Sequence, residues 1–386
     1  MSLADTDATT SSSRATPGDT FESFDPGSGE VVGTYPVDGV AEVAAAVERA
    51  RRAAQWWRDQ GAEGRSRVLK KWRSHLVNHA DDLIDVVHAE TGKPQGDAQL
   101  ELVLAVEHLA SATRPAPKVM KRRRVFPGLL MSNMAATLEL IPLGVIGVIG
   151  PWNYPVFTPM GSIAYALAAG NAVVFKPSEY TPGVGRWLAD SFAAVCGRPV
   201  LQTVTGFGAT GAALADAQVD KIAFTGSAAT GRKIMAAAAA HLTPVLMECG
   251  GKDAMLVDAD ADLDAAADAA TWGGMSNAGQ TCAGVERIYV HGDVYDEFVD
   301  RVVAKASDVS AGSGEDAQIG PITMPSQVDV IRRHVADALD RGGRAVLGGL
   351  DAVGDSVVGP TVMVDVPDDA LAMTDETFGP TLVITK

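Results

Sequence analysis

Val145-Ile-Gly-Val-Ile149, Ala172-Val-Val-Phe175, Val200-Leu-Gln-Thr-Val204 and Lys221-Ile-Ala-Phe224 follow one another within residues 145–224. Each is a short, mostly apolar run bounded by turn residues, as a strand buried on both faces should be. Between and after them lie helix-like segments at Pro159–Ala169, Gly183–Val195, Gly211–Ala217 and Ala228–Ala240. Strand–helix alternation of this kind predicts right-handed crossovers and a parallel sheet covered on both faces, an α/β fold. Ligands of such sheets sit beyond the carboxyl ends of the strands. Three loops leave those ends with glycine or polar residues: Gly150–Tyr154, Lys176–Glu179 and Thr225–Gly231.

On the amino-terminal side, apolar residues at helical spacing predict helices over Val40–Trp57, Arg65–His79, Ala80–Glu90 and Asp97–Ala112. Thr91-Gly-Lys-Pro94 ends the third, because Gly stops a helix and Pro prevents its continuation. Asp25-Pro-Gly-Ser-Gly-Glu30 is a turn between extended segments. Lys118–Arg124 is a basic run leading into an extended stretch, Val125–Leu140, read as a hairpin with a solvated face. Residues 1–20 are rich in Ser, Thr and Asp, lack an apolar segment, and read as a disordered tail rather than a signal peptide.

On the carboxyl-terminal side a second α/β region follows Glu248. Strands are expected at Ala254–Val257, Val285–Val290, Ala345–Leu347, Thr361–Val364 and Thr381–Ile384. Helices are expected at Leu263–Met275, Val294–Val309 and Val328–Asp340.

With Lys+Arg 32 against Asp+Glu 48, the net charge is −16, which argues against nucleic acid as a partner. The longest apolar stretches are broken by Gly, Pro and polar residues, so no transmembrane helix is expected. Cys196, Cys249 and Cys282 form no CxxC pair and leave one odd thiol, which fits a reducing cytoplasm. The seven His are scattered without ligand spacing, and no metal site is expected.

Cys282 stands in Asn277-Ala-Gly-Gln-Thr-Cys-Ala-Gly284, a small polar segment between a helix and a strand. A thiol on a loop is reachable, and its thiolate is a strong nucleophile. Glu248, in Met247-Glu-Cys-Gly-Gly-Lys252, is a carboxylate beside two glycines and a candidate base, expected on a loop. Taken alone, the pair reads rather as a small core thiol and a solvated charge. Gly226-Ser-Ala-Ala-Thr-Gly231 opens a helix after a strand, where backbone N–H groups suit a pyrophosphate, although the pattern is not GxGxxG. Lys176-Pro-Ser-Glu179 offers a cation and a carboxylate to ribose hydroxyls, and a carboxylate there repels a 2′-phosphate. Asn153, in Pro151-Trp-Asn-Tyr-Pro155, could donate its amide to an oxyanion; the plain reading is a turn asparagine.

These motifs, with Glu376-Thr-Phe-Gly-Pro380, occur in one order, and together they resemble the NAD(P)-dependent aldehyde dehydrogenase superfamily from near Phe24 to Lys386. The resemblance implies a Rossmann-like cofactor domain (21–116 and 141–247), an oligomerisation hairpin (117–140) and a second α/β catalytic domain (248–386). It implies Cys282 as the nucleophile, Asn153 as oxyanion donor and Glu248 as activator of the hydrolytic water. Lys176 and Glu179 would hold the adenosine ribose, with Ser178 in the same motif. Trp152 and Ser227 would meet the pyrophosphate, within the Gly226–Gly231 turn. Glu376 would hold the nicotinamide ribose, with Phe378 beside the ring. NAD is the expected cofactor, NADP the alternative, and a homodimer or homotetramer the expected assembly. The proline-stiffened loop and His241-Leu-Thr-Pro244 look most like the fatty and aromatic aldehyde branch. A CoA-acylating relative and a non-catalytic member of the fold are the rival readings.

Two departures stand out. Cys249 occupies a position usually held by Leu, read as conservative packing, with an oxidisable thiol near the site as the alternative. The family pattern continues well beyond Pro380, so the expectation is a carboxyl-terminally truncated chain whose whole enzyme, rather than the fragment, is active.

Overall fold

The computed structural model describes residue 16, residues 18–314 and residues 316–386. The expected tail over 1–20 therefore lies mostly outside the described residues, and Thr20 already belongs to a strand.

Strands occupy Thr20–Phe24 (β1), Val31–Pro36 (β2), Arg123–Val125 (β3), Ala136–Leu138 (β4), Val145–Ile149 (β5), Ala172–Lys176 (β6) and Leu201–Thr203 (β7). They continue with Lys221–Gly226 (β8), Val245–Cys249 (β9), Asp253–Val257 (β10), Val285–Val290 (β11), Arg344–Leu347 (β12), Thr361–Val364 (β13) and Thr381–Thr385 (β14). Helices occupy Val40–Asp59 (α1), Gly61–Asn78 (α2), Ala80–Thr91 (α3), Gln95–Thr113 (α4), Ala116–Val119 (α5), Phe157–Ala169 (α6) and Pro182–Cys196 (α7). Then come Gly208–Asp216 (α8), Ala228–Ala239 (α9), Leu263–Met275 (α10), Tyr295–Ser307 (α11), Pro325–Asp340 (α12) and Leu371–Thr374 (α13).

β5 and β6 are buried along their whole length because they carry no polar face, and helices cover both sides. They form a parallel sheet of order β7-β6-β5-β8-β9. The chain fills one side of β5, then crosses to the other. That reversal opens a crevice beyond the carboxyl ends of β5 and β8. The long helix α1 buries Val43, Val47, Ala50 and Trp57 on one stripe, and the Trp57 indole donates to the Leu167 carbonyl at 2.9 Å.

The second sheet has the order β10-β11-β14-β13-β12, parallel except for β12. Its strands alternate between two apolar clusters: Met363 and Val383 face one, Val362, Val364, Leu382 and Ile384 the other. β9 and β10 are joined by Gly250–Lys252 alone, so the carboxyl end of one sheet meets the other directly.

β9 is absent from the sequence expectation. Only Val245, Leu246 and Met247 are apolar there, and as an edge strand it is largely exposed, so no buried run marks it. Glu248 is consequently the penultimate residue of a strand, not a loop residue. Within the 117–140 stretch, which begins in α5, β3 and β4 pair as a short hairpin, with Arg123 opposite Leu138. Its tip is apolar and open to solvent, Leu129 being 84% and Leu130 98% exposed.

Candidate active site

Eight of the sequence-predicted residues line one cavity of about 200 Å³: Trp152, Asn153, Gly226, Ser227, Glu248, Cys282, Glu376 and Phe378. The carboxyl ends of β5, β8 and β9 supply the first five. The turns before β11 and β14 supply the rest. Lys176, Ser178 and Glu179 lie apart, at the end of β6. Gly231 lies inside α9, buried beneath the strand end that carries Cys249.

The Cys282 turn is held open by its backbone. Asn277 and Ala278 both take left-handed conformations, φ 54° and 55°, which side chains other than Gly seldom adopt. Gly279 must be glycine: φ is 70° and a Cβ would overlap the Gly379 carbonyl of the Glu376 turn. Gln280 fixes the turn through Nε2 to the Asn277 carbonyl (2.9 Å) and through Oε1, which accepts from Thr323 N–H at 2.9 Å. Cys282 itself is exposed. Partial burial pushes its thiol pKa up, its own backbone N–H opposes that, and the Glu376 charge adds to it.

Asn153 is buried, and its Nδ2 donates to the Gln280 carbonyl at 2.8 Å. An amide nitrogen has two hydrogens, so one is left for another acceptor. The Asn153 main-chain carbonyl accepts from Lys93 Nζ at 2.7 Å and Asn277 Nδ2 at 3.1 Å. Lys93 is ion-paired with Glu101 at 3.0 Å, the two side chains being 3% and 0% exposed. Glu101 Oε1 in turn accepts from the Val156 and Phe157 N–H groups at 2.5 and 3.0 Å. A buried ion pair thus ties the Asn153 loop to α3, α4 and the start of α6.

The Glu376 turn has its own support. Glu286 accepts from the Thr377 and Phe378 N–H groups and pairs with Lys252. His334 Nδ1 lies 3.1 Å from Thr377 Oγ1, and burial lowers its pKa to about 4. The Glu376 carboxylate packs on Gly250, where a Cβ would overlap it. Burial, with the Glu286 charge, raises its pKa to about 7, and Oε1 is buried without a partner. Phe378 meets Trp152 edge-on, ring centroids 5.5 Å apart.

Elsewhere, Ser227 caps α9, its hydroxyl accepting from Thr230 N–H at 3.3 Å. Lys176 Nζ lies 3.4 Å from Glu179 Oε2, and Ser178 Oγ accepts from the Tyr180 N–H. Cys249 is exposed rather than packed in a core, its sulfur facing Gly231. Among the described residues no cluster of His, Cys, Asp or Glu is placed to hold a metal ion, and no helix is long and apolar enough to cross a membrane.

Sequence reasoning missed Lys93, Glu101, Asn277, Gln280, Glu286 and His334. Lys93 sat inside Thr91-Gly-Lys-Pro94, read only as a helix stop. Asn277 and Gln280 sat inside the quoted Cys282 segment, read only as its polar surroundings, although they bond each other three residues apart; the partners of Glu101, Glu286 and His334 lie far away in sequence, so no local pattern marks those. A thiol, an amide donor and a carboxylate on one small cavity suit attack on a carbonyl carbon followed by release of the bound group.

Comparison with known proteins gives a consistent result. The model of the aldehyde dehydrogenase family matches residues 13–386. A 4,4′-diapolycopene aldehyde oxidase of Methylomonas is 37% identical over 368 residues, 95% of this chain and 69% of that protein. A glutarate-semialdehyde dehydrogenase of Pseudomonas aeruginosa is 36% identical over 94% of this chain and 76% of its own length. Among solved structures, an NADP-dependent enzyme of Escherichia coli superposes with a TM-score of 0.92 at 32% identity, covering 96% of this chain and 78% of that one.

Proposed function

The chain belongs to the aldehyde dehydrogenase family and is an oxidoreductase acting on aldehydes; on that premise we propose that it forms a carboxylic acid through a thioester on Cys282. The observation that carries this reading is that Cys282, Asn153 and Glu248 border the same cavity.

The residues fit a nicotinamide dinucleotide. Glu376 Oε1 is a buried acceptor without a donor, as a ribose hydroxyl would supply. The Gly226–Ser227 turn opens α9, where N–H groups would meet a pyrophosphate. Trp152 and Phe378 wall the same space. Lys176 and Glu179 would take the adenosine ribose, and the Glu179 carboxylate favours NAD over NADP. Such a dinucleotide, when bound, supplies the hydride acceptor.

Cys282 sulfur adds to the carbonyl carbon, and its proton passes by way of Glu248 to solvent, which leaves Glu248 a carboxylate again. The oxyanion so formed takes the free Asn153 N–H and the Cys282 backbone N–H. Loss of hydride from that adduct leaves the thioester. Glu248 then takes a proton from water as the water oxygen bonds to the acyl carbon. The carbon–sulfur bond breaks and sulfur departs as thiolate, leaving the acid. A carboxylate on the cavity favours water over coenzyme A as the acyl acceptor.

The same reading assigns 21–116 with 141–247 to cofactor binding, 248–386 to catalysis and 117–140 to assembly of a dimer or tetramer, in a reducing cytoplasm. The apolar tip of the hairpin supports the assembly role. The test is formation of reduced nicotinamide from NAD, and separately from NADP, with a panel of aldehydes, beside Cys282→Ala. A signal that persists in the variant refutes the thiol mechanism. Dependence of product on coenzyme A moves the reading to the acylating alternative. No signal in either protein moves it to a non-catalytic chain.

A further inference from the structure

A groove of about 650 Å³ runs along β7, the outer strand of the first sheet. It shares no lining residue with the Cys282 cavity, which lies at the other side of that sheet. Its volume suits a small organic molecule. Three cations reach it from three parts of the chain: Arg49 from α1, Arg186 from α7 and Arg198 from the turn between α7 and β7. They meet two carboxylates there, Asp38 and Asp190. In a chain of net charge −16, that is a local reversal of sign.

Neither carboxylate takes a guanidinium hydrogen bond. Asp38 Oδ2 accepts from the Thr205 N–H at 2.7 Å, and Asp190 stands 3.7 Å from Arg186 Nε, beyond hydrogen-bond reach. The neutral groups of the groove are also engaged. Thr203 Oγ1 donates to the Gly185 carbonyl and Thr205 Oγ1 to the Pro36 carbonyl. Gln202 Nε2 donates to the Ala46 and Pro199 carbonyls.

Gln202 also prepares one of the cations. It is 9% exposed, and its Oε1 accepts from Arg49 Nε at 2.8 Å. That bond fixes the guanidinium and leaves both Nη groups without an acceptor among the described residues. Arg198 lies over the Trp56 ring, 5.6 Å from its centroid, a contact that orients the guanidinium plane without taking its N–H groups. What the groove offers is therefore N–H donors on three forks. One fork suffices for the two oxygens of a carboxylate. A phosphate group brings three acceptor oxygens and a charge near −2, enough for all three. Pro36, Ala189, Pro199 and Leu201 add apolar wall for a compact organic body.

We propose that this groove is a second ligand site, separate from the Cys282 cavity, which takes a small molecule bearing a dianionic phosphate group on Arg49, Arg186 and Arg198. The assignment is independent of the thiol mechanism.

The test is calorimetry on the full chain with ribose 5-phosphate, inorganic phosphate and succinate, repeated in Arg49→Gln and in the double variant Arg186→Gln with Arg198→Gln. Ribose 5-phosphate is expected to bind with a Kd of about 1 mM or below, and succinate at least about tenfold more weakly. Arg49→Gln should weaken the phosphate ligand by about five- to tenfold, and the double variant by about thirtyfold or more. Inorganic phosphate bound as tightly as the ester supports the site and makes the phosphate group alone its ligand. Tighter binding of the ester supports it and adds recognition of the organic body. No binding to the unsubstituted chain, or succinate bound as tightly as either phosphate, overturns the proposal. Affinity unmoved in both variants also overturns it, because the phosphate is then held elsewhere, as at the Gly226–Ser227 turn.

Discussion

Replacing Lys93 by Met tests the support beneath the Asn153 loop. Lys93 and Glu101 are 3% and 0% exposed at the side chain, 3.0 Å apart. Removing one partner of a buried pair strands the other charge, at a cost of about 3–5 kcal/mol. Glu101 keeps two donors, the Val156 and Phe157 N–H groups, so the lower end, about 3 kcal/mol, is expected. At an m value of about 3 kcal/mol/M, the urea midpoint should fall by about 1 M. Adding Glu101→Gln removes the stranded charge but retains an acceptor for both N–H groups. The double variant should therefore regain more than half of the loss. The Asn153 carbonyl also loses one of its two donors, so turnover should fall more than affinity in the single variant. A midpoint shift worth less than about 1 kcal/mol, or a double variant no more stable than the single one, refutes the stranded-charge account.

Asn153→Ala should lower turnover by about 100- to 1,000-fold with a far smaller change in aldehyde affinity; near-normal steady-state turnover contradicts its oxyanion role. Glu90 caps α7 by accepting from the Gly183 and Val184 N–H groups, and burial raises its pKa to about 7. A raised carboxyl pKa gives stability that is fully present below the unfolded value near 4.5 and is lost as pH rises through about 7. The stability advantage of the wild type over Glu90→Gln should accordingly shrink between pH 5 and pH 8, read as the difference in urea midpoints. Gly279→Ala meets both a left-handed φ of 70° and the Gly379 carbonyl. It should destabilise by about 2 kcal/mol or more; a thermal midpoint equal to wild type would show that the two turns separate easily.

The parallel sheet was legible because β5 and β6 have no polar face. A run buried on both sides is written in consecutive apolar residues, and the helices between such runs show a second period. β9 was not legible, because an edge strand with an exposed face needs few apolar residues. Cys282, Asn153 and Glu248 could be singled out because short motifs in a fixed order carry them, and they border one cavity; the aldehyde dehydrogenase family itself was readable from that order.

What the sequence alone determined is which groups the chain owns: one loop thiol, an amide in a stiff turn, a carboxylate before two glycines, and the strand–helix order that puts loops at one end of a sheet. Only the tertiary structure decided how they are held. Lys93 and Asn153 are sixty residues apart, and Glu286 and Phe378 ninety-two, yet each pair is in contact. Such contacts form because burying a charge or a backbone N–H without a partner is costly, so the fold must bring the partner from wherever the chain has one. The arginine groove has the same origin. Arg49 and Gln202 meet only because α1 packs on β7, and nothing in either segment names the other.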